Sequence, residues 1–208
     1  MEIKYLGHSC FRIKGKQMVV LTNLLDDSSG LKLPSGSTSD LVISSSPASE
    51  QKIKTIIKPV KREETFVIDR PGEYEVGGLF VLGIGFKSKI TVYVVTIDDL
   101  RIGFLGSLTD KLSDKQLEEL DGVDILLLPV GGRPYIDSKQ ANFLVDKIQP
   151  SFVIPMAYKM PGLKIDLETV DEFLKEVGVQ DTKAIDKLLV SKESLPLERE
   201  IVVLNAKG

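Results

Sequence analysis

The order of short apolar runs is the feature that most limits what this chain can fold into. The first two-thirds of the sequence contains nine such runs, many rich in β-branched residues and bounded by Gly, Pro, Asp or Ser. Runs of this kind are typical of strands, and the residues between them are typical of turns. The predicted strands are Ile3–Leu6, Cys10–Ile13, Met18–Thr22, Leu41–Ser44, Phe66–Ile68, Gly78–Leu82, Thr91–Ile97, Arg101–Leu105 and Ile125–Leu128. The sharpest predicted hairpin joins the seventh and eighth of these through Asp98 and Asp99.

Helix signals come later in the chain. Ser113 and Gln116 form a capping-box pattern, because each side chain can satisfy a free N–H group at the start of a helix. A second helix is predicted after Asp137, and a third is predicted after Asp166. Further strand-like runs lie at Phe152–Ile154, Lys187–Val190 and Ile201–Leu204. This order predicts a layered α+β architecture, and since no Pro/Gly/Ser-rich linker divides it, we expect a single domain over residues 1–208.

The chain is poor in the side chains that bind transition metals. His8 is its one histidine and Cys10 its one cysteine. Zinc in proteins is held by imidazole, thiolate and carboxylate groups, with several of them at each site. A histidine-rich zinc centre therefore cannot be built from this sequence.

The charge and hydropathy of the chain limit the binding partners and the cellular compartment that we expect for it. The formal net charge is −3, and no basic stretch is interleaved with aromatic residues, so nucleic acid is an unexpected partner. No apolar run approaches the roughly 20 residues of a membrane span, and the charged opening Met1–Leu6 does not resemble a signal peptide. A lone cysteine also rules out an internal disulfide. We expect a cytoplasmic protein with no membrane association.

Four segments carry a specific resemblance to a known family. Tyr5–Phe11, Val67–Val76, Leu127–Gly132 and Ile154–Lys159 resemble, in the same order, segments of the metallo-β-lactamase-fold hydrolases, in particular their small prokaryotic Zn-dependent hydrolase branch. The resemblance extends over nearly the whole chain. It implies a four-layer αββα sandwich, in which two facing mixed β-sheets carry helices on their outer faces.

The same resemblance locates the family's metal ligands at positions that carry other side chains here. Relatives have H-x-H-x-D-H after a strand that matches Asp40–Ser45. The matching positions in this chain are Ser46, Ala48 and Gln51 for the histidines and Glu50 for the aspartate. A later aspartate matches Ser107, a late histidine matches Ala157, and Asn23 stands in a turn that reads D-P in relatives. Only Gly85–Ile90 replaces a loop that supplies another ligand in the family.

Three functions follow as hypotheses from this pattern. The first is a protein without metal or other cofactor that no longer hydrolyses, and that binds a small ligand or a protein partner or serves as a homo-oligomeric scaffold. The second is a divergent hydrolase of phosphodiester or lactone substrates, with a rebuilt site that uses His8, Glu50 or Asp69. The third, a nucleic-acid accessory protein, is disfavoured by the acidic composition.

Other patterns have structural explanations that we favour. His8 and Cys10 are two residues apart, but a catalytic pair needs hydrogen-bond reach and an activated thiolate, which spacing does not supply. Ser49-Glu50-Gln51-Lys52 matches the S-x-x-K pattern of penicillin-binding enzymes without its companion motifs. Asp26-Asp27 and the pair Asp69 and Glu73 offer oxygen ligands for Mg²⁺, but a solvated loop and a turn are the expected roles.

Overall fold

The computed structural model describes residues 1–25, 29–180 and 182–207. The first of two mixed sheets comes mainly from the first third of the chain. Its strands are β1 (Glu2–Gly7), β2 (Cys10–Lys14), β3 (Val19–Thr22), β4 (Leu41–Ile43), β5 (Phe66–Ile68) and, from near the chain's end, β12 (Leu188–Leu189). Their spatial order is β12-β1-β2-β3-β4-β5. Strands β3, β4 and β5 are parallel, whereas β12, β1, β2 and β3 pair antiparallel.

The second sheet contains seven strands. They are β6 (Gly72–Val76), β7 (Leu79–Gly85), β8 (Thr91–Ile97), β9 (Leu100–Phe104), β10 (Ile125–Pro129), β11 (Phe152–Met156) and β13 (Glu200–Ile201). Their spatial order is β13-β11-β10-β9-β8-β7-β6. The half from β9 to β13 is parallel, and the half from β6 to β9 is antiparallel. Each sheet thus has a parallel part whose strands end at one edge.

The predicted hairpin is confirmed by the pairing of β8 with β9. Ile97 pairs with Leu100, and Asp98 and Asp99 between them have φ angles of 51° and 64°. Two successive residues with positive φ are what a two-residue type I′ turn requires, and aspartate tolerates this region better than most residues. Strand β6 lies outside the predicted strands, because only its Tyr74 and Val76 are partly buried.

Four α-helices lie in the described part of the chain. They are α1 (Glu50–Ile56), α2 (Asp114–Glu119), α3 (Ser138–Ile148) and α4 (Val170–Glu176), and a 3-10 turn follows at Lys192–Ser194. The capping box at Ser113 and the Asp137 cap are confirmed. The third predicted helix begins later than expected, with Thr169 as its N-cap, because the backbone of Glu168 is hydrogen-bonded to Gly131 and Lys159. Helix α1 was not predicted.

The two sheets share one buried apolar cluster. It contains side chains from the first sheet, such as Tyr5 and Phe11, and from the second, such as Tyr93 and Phe104, so the sheets face each other. Helix α3 contributes Ala141, Leu144, Val145 and Ile148 to the same cluster. A second cluster around Cys10 and Leu21 is completed by Ile53 of α1. Two mixed sheets with a common core and flanking helices confirm the predicted αββα sandwich.

One structural observation bears on membrane association. In residues 1–25, 29–180 and 182–207, none of the helices has the length and apolar character needed to cross a bilayer. The extent of the domain, residues 1–208, stays a prediction.

Candidate functional site

A polar cleft opens where the parallel strands of both sheets end. Asn23 follows β3, Ser44 and Ser46 follow β4, Ser107 follows β9, and Tyr135 lies in the loop after β10. Together with His8 and Ser9, these residues line a cavity of about 320 Å³. The carboxyl ends of parallel strands are the usual location of ligand sites in sheets of this kind, because the loops that follow the strands converge there.

The turn between β1 and β2 carries His8 into this cleft. Its φ is 53°, and the preceding Gly7 has a φ of 117°, so the backbone is in a region that histidine seldom adopts. The His8 carbonyl accepts hydrogen bonds from the Tyr5 hydroxyl and the Ala157 backbone N–H, both at 2.7 Å. The His8 N–H donates to the thioether of Met160 at 3.3 Å. The fold therefore stabilises a strained backbone at this residue, and such strain clusters at functional sites.

The His8 imidazole has a hydrogen-bond partner at each ring nitrogen. Nδ1 lies 3.2 Å from the Ser9 hydroxyl, and Nε2 lies 2.9 Å from the Tyr135 hydroxyl. The two rings meet edge to face, with centroids 5.6 Å apart. Burial raises the pKa of Tyr135 above its ordinary value, so its phenol stays protonated at neutral pH. The ring is thus fixed between two hydroxyl groups.

Asn23 organises the opposite wall. Its Oδ1 accepts from the Ser45 backbone N–H at 2.7 Å, which fixes the orientation of the amide. Its Nδ2 then faces the Ser9 hydroxyl at 3.0 Å and the Ser107 hydroxyl at 3.5 Å. Like His8, Asn23 has a positive φ, here 31°. A single amide therefore connects the strand ends of both sheets with the histidine turn.

Ser107 reaches the cleft because a glycine precedes it. Gly106 has a φ of 47°, and a Cβ at this position would overlap the Ser45 hydroxyl and lie 2.8 Å from the Ser45 Cβ. The Ser107 N–H points at the same Ser45 hydroxyl, at 3.4 Å. Only glycine accommodates both the close approach and the left-handed backbone.

The family's ligand positions separate into two groups in the structure. Ser46 and Ser107 line the cleft. Ala157 is fully buried beside it, with a φ of 51°, and its backbone N–H bonds His8. Ala48 and Gln51 do not line the cleft.

The two carboxylates of the expected rebuilt site lie elsewhere. Glu50 is exposed in the first turn of α1, where it pairs with Lys54 at 2.9 Å. Asp69 accepts from the Ala48 backbone N–H at 2.8 Å and lies 3.6 Å from the Arg70 guanidinium. Neither carboxylate lines the cleft, whereas His8 does. Ser49 of the S-x-x-K match caps α1 by accepting from the Lys52 N–H at 3.4 Å, which is a structural role.

The cleft residues do not fit a zinc ion. The described residues contain no group of three or more His, Cys, Asp or Glu side chains placed to hold a metal. The cleft offers one imidazole together with hydroxyl, phenol and carboxamide groups, and serine and asparagine do not replace imidazole or carboxylate as zinc ligands. The acidic pair Asp26-Asp27 lies outside the described residues.

Cys10 is separated from the cleft. It is fully buried in the apolar cluster with Leu21 and Ile53, and burial raises the pKa of its thiol to about 12. A thiol of this kind is protonated at neutral pH and unreactive as a nucleophile. His8 and Cys10 are therefore not a catalytic pair.

Sequence reasoning missed Tyr135. It is 127 residues from His8 in the chain, in an irregular loop, and no motif or periodicity marks it. Ser9 carried one usable signal, because it is next to the sole histidine in a predicted turn between strands.

Comparisons with known proteins agree with this architecture. The model of a family described as the beta-lactamase superfamily domain matches residues 2–157. A UPF0173 metal-dependent hydrolase of Korarchaeum cryptofilum is 25% identical over 207 aligned residues, covering 86% of this chain and 93% of the relative. A UPF0173 protein of Pyrococcus abyssi is 28% identical, covering 78% and 85%. A Thermotoga maritima structure assigned to the Zn-dependent hydrolases of the metallo-beta-lactamase superfamily is 30% identical, with a TM-score of 0.82 over 99% of both chains.

These comparisons correct the leading functional hypothesis. The interpretation as a non-hydrolytic binding or scaffold protein is wrong, because relatives that match along most of the chain are named metal-dependent hydrolases. The physical reason is that serine, alanine and glutamine at the family's histidine positions do not by themselves exclude hydrolysis, because other polar groups can also transfer protons. By its family match and its similarity over nearly its full length, the chain belongs to the metallo-β-lactamase superfamily.

Proposed function

We propose that this chain is a hydrolase of small uncharged esters, lactones foremost, in which His8 transfers the protons. The observation that carries the proposal is the His8 imidazole in the cleft, with the Ser9 hydroxyl at one ring nitrogen and the Tyr135 hydroxyl at the other. Histidine is the side chain most often used for proton transfer near neutral pH. The hydrolase names of the relatives support the class of reaction.

The charge of the cleft supports an uncharged substrate. Among the described residues that line it there is no Lys, Arg, Asp or Glu. A phosphodiester carries a permanent negative charge, and proteins compensate such a charge with Arg, Lys or a metal ion. Hydroxyl and amide groups suit a neutral carbonyl instead, so a lactone fits this cleft better than a phosphodiester.

The size of the cleft also supports a small lactone as substrate. Its volume of about 320 Å³ lies near the lower end of the range for small-molecule sites, roughly 300–1,000 Å³. Leu24, Leu25 and Ile165 provide its apolar surface, and they suit the hydrocarbon part of a lactone. The substrate is therefore a small molecule with one polar end.

Each polar group then has a role that follows from its contacts. His8 accepts the proton of the attacking oxygen and returns it to the leaving oxygen. Tyr135 holds the imidazole in place through Nε2. The Ser107 hydroxyl, oriented by Asn23, faces the cleft and stabilises the negative charge that develops on the carbonyl oxygen. Among the described residues, the cleft offers a single imidazole and no carboxylate, so the proposed route uses side-chain chemistry in place of the family's metal.

A substrate panel with paired variants tests the proposal. Turnover of γ-butyrolactone, δ-valerolactone and p-nitrophenyl acetate is compared with that of bis(p-nitrophenyl) phosphate. We expect turnover of the uncharged substrates that falls by about 100-fold or more in His8→Gln, the usual size of a general acid–base contribution. Glu50→Gln is the matched control, because this exposed carboxylate lies outside the cleft and its loss leaves the rate unchanged.

Two further measurements sharpen the test. Dialysis against a chelator leaves the rate unchanged if the reaction depends on His8 and not on a metal. A silent panel of uncharged esters, or turnover that persists in His8→Gln, would refute the proposal. Loss of turnover on dialysis, restored by zinc, would refute the metal-free route.

We also propose that the protein acts in the cytoplasm, which its single, buried cysteine supports. Self-association into a homo-oligomer stays a prediction. Sedimentation of the purified protein at several concentrations distinguishes a monomer from an oligomer.

A further inference from the structure

We propose that Ser9 is the nucleophile of the hydrolase and carries a covalent acyl group during each turnover. This inference rests on the proposed function and adds the identity of the attacking group. Its basis is the contiguous series Ser9, His8 and Tyr135, in which a hydroxyl, an imidazole and a second hydroxyl are joined by hydrogen bonds of 3.2 and 2.9 Å. Covalent catalysis needs a nucleophile within reach of a base that a third group orients.

The hydrogen-bond directions around Ser9 favour this role. Asn23 is oriented by its bond from the Ser45 N–H, so its Nδ2 donates to the Ser9 oxygen at 3.0 Å. That donation occupies one lone pair of the oxygen. The proposed reaction uses the His8 tautomer with its proton on Nε2, in which the Ser9 hydroxyl donates to Nδ1 and Nε2–H donates to the Tyr135 oxygen. In this arrangement, the unprotonated Nδ1 of His8 is the atom that accepts the Ser9 proton.

Two other serines of the cleft, Ser107 and Ser46, have different contacts. The Ser107 oxygen faces the Asn23 amide, and its backbone N–H faces Ser45. An amide group donates hydrogen bonds but does not accept a proton at neutral pH. Ser46 lines the cleft from an exposed position after β4, and its carbonyl accepts from Ser44. Of these three serines, Ser9 alone is hydrogen-bonded to the imidazole in the described part of the chain.

The burial of Ser9 restricts what it can attack. Only 2% of its surface is exposed, although it lines the cleft. So little exposed surface favours a small acyl group over a bulky or branched one, which agrees with a small lactone as substrate.

The reaction proceeds in two balanced halves. The Ser9 oxygen bonds to the carbonyl carbon while its proton passes to His8 Nδ1. The bond from that carbon to the ring oxygen then breaks, and the leaving oxygen takes the proton, which leaves a hydroxyacyl ester on Ser9. Water from solvent attacks this ester and gives a proton to Nδ1, and the Ser9 oxygen departs with it. The sum is one lactone and one water converted to one hydroxy acid.

The test uses a β-lactone, whose strained ring acylates a serine nucleophile without losing any atoms. The full-length protein is treated with β-propiolactone, digested and analysed by tandem mass spectrometry. We expect one adduct, equal in mass to the lactone, on Ser9. The adduct is absent in Ser9→Ala and is formed about 100-fold more slowly in His8→Gln. Glu50→Gln is the matched control, because this exposed carboxylate lies outside the cleft and its loss leaves the adduct on Ser9 unchanged.

Kinetics supply a second readout that does not depend on a variant folding. With p-nitrophenyl acetate, wild-type protein gives a burst of p-nitrophenol close to one equivalent before the steady rate. An adduct on Ser46 or Ser107 would overturn the assignment to Ser9. His8-dependent turnover without burst or adduct would also overturn it, and would leave the proposed hydrolase function standing with water as the nucleophile. Absence of turnover on every uncharged ester would refute the proposed function itself.

Discussion

The two ends of strand β4 both carry buried polar groups, but the groups bind different partners. At the amino end, the fully buried carboxylate of Asp40 accepts hydrogen bonds from the backbone N–H groups of Val19, Val60 and Lys61, at 2.9, 2.8 and 2.6 Å. At the carboxyl end, Ser45 is equally buried and takes part in contacts with the Asn23 side chain and the Ser107 backbone. The second set adjoins the cleft, which Asn23 and Ser107 line.

This difference separates a structural polar group from a functional one. Asp40 accepts from the N–H group at the start of β3 and from two N–H groups of the loop before β5, so its role is complete within the fold. Around Asn23, Ser9 and Ser107, side chains bind one another at the edge of an opening large enough for a ligand. We therefore expect Asp40 to control stability and the cleft residues to control activity.

The largest expected effect on stability is that of Asp40→Ala. The substitution removes the acceptor of one buried backbone N–H group, that of Val19, and of two part-buried ones, those of Val60 and Lys61. A buried N–H group left unpaired costs about 1–3 kcal/mol. Since water can enter the space, we expect a loss of about 3–5 kcal/mol in the free energy of unfolding. Urea denaturation followed by circular dichroism measures it.

The control for this prediction is at the other end of the same strand. Ser46→Ala removes an exposed hydroxyl, and its unfolding free energy should stay within about 0.5 kcal/mol of wild type. Equal losses in the two variants would contradict the division of β4 into a structural end and a functional end.

A smaller loss of stability is expected for Gly106→Ala. The new Cβ would sit 2.8 Å from the Ser45 Cβ in a backbone with a φ of 47°. Left-handed strain and the overlap together cost about 2–3 kcal/mol. Because Ser45 also orients Asn23, we expect ester turnover to fall further than the loss of folded protein explains.

Gly36→Ala is the control that separates the free-energy cost of backbone strain from the cost of the atomic overlap. Gly36 has a φ of 73° and open space where its Cβ would be, so the cost should be about 1 kcal/mol with unchanged turnover. If both glycine variants lose equal stability and keep full activity, the close approach of Gly106 to Ser45 has no role in shaping the cleft.

Sequence reasoning predicted much of the fold because its signals were local. The Asp98-Asp99 turn, the capping box at Ser113 and the Asp137 cap each depend on residues within a few positions of one another. Helix α1 was missed because only Ile53 is buried on it, which leaves no apolar stripe to detect. Helix α4 begins late because Glu168 bonds Gly131, a contact between distant segments.

The site was predictable only in part, for the same reason. His8 was identified as a candidate because it is the sole histidine, and family positions led to Ser46 and Ser107. The contact between Tyr135 and His8 depends on how the loop after β10 folds over the β1–β2 turn, and local sequence does not encode that distance. For the same reason, sequence reasoning placed Glu50 and Asp69 in one predicted site with His8. The fold places both carboxylates outside the cleft.

The smallest of the three expected effects on stability comes from neutralising the charge of Asp40. It is small because protonation of the carboxylate leaves both of its oxygens in place. Burial acts to raise the pKa of this carboxyl, but hydrogen bonds from the N–H groups of Lys61, Val19, Val60 and Arg62 outweigh it, and the net pKa is lowered. A pKa lowered by folding stabilises the native state above the unfolded value, about 3.9 for aspartate. That stabilisation is lost as the pH falls through the folded pKa.

We therefore expect the unfolding free energy of the wild type to decrease as the pH is lowered from about 5 towards 2, with Asp40 contributing to the slope. In Asp40→Asn that contribution is absent at every pH, and the amide nitrogen replaces one of the two accepting oxygens. The variant is therefore less stable at neutral pH, and its stability depends less on pH than that of the wild type. Glu193→Gln is the control, because this exposed carboxylate also has a lowered pKa but is bound by its own turn. Parallel curves for wild type and Asp40→Asn would show that the charge of Asp40 contributes nothing to the pH dependence of stability.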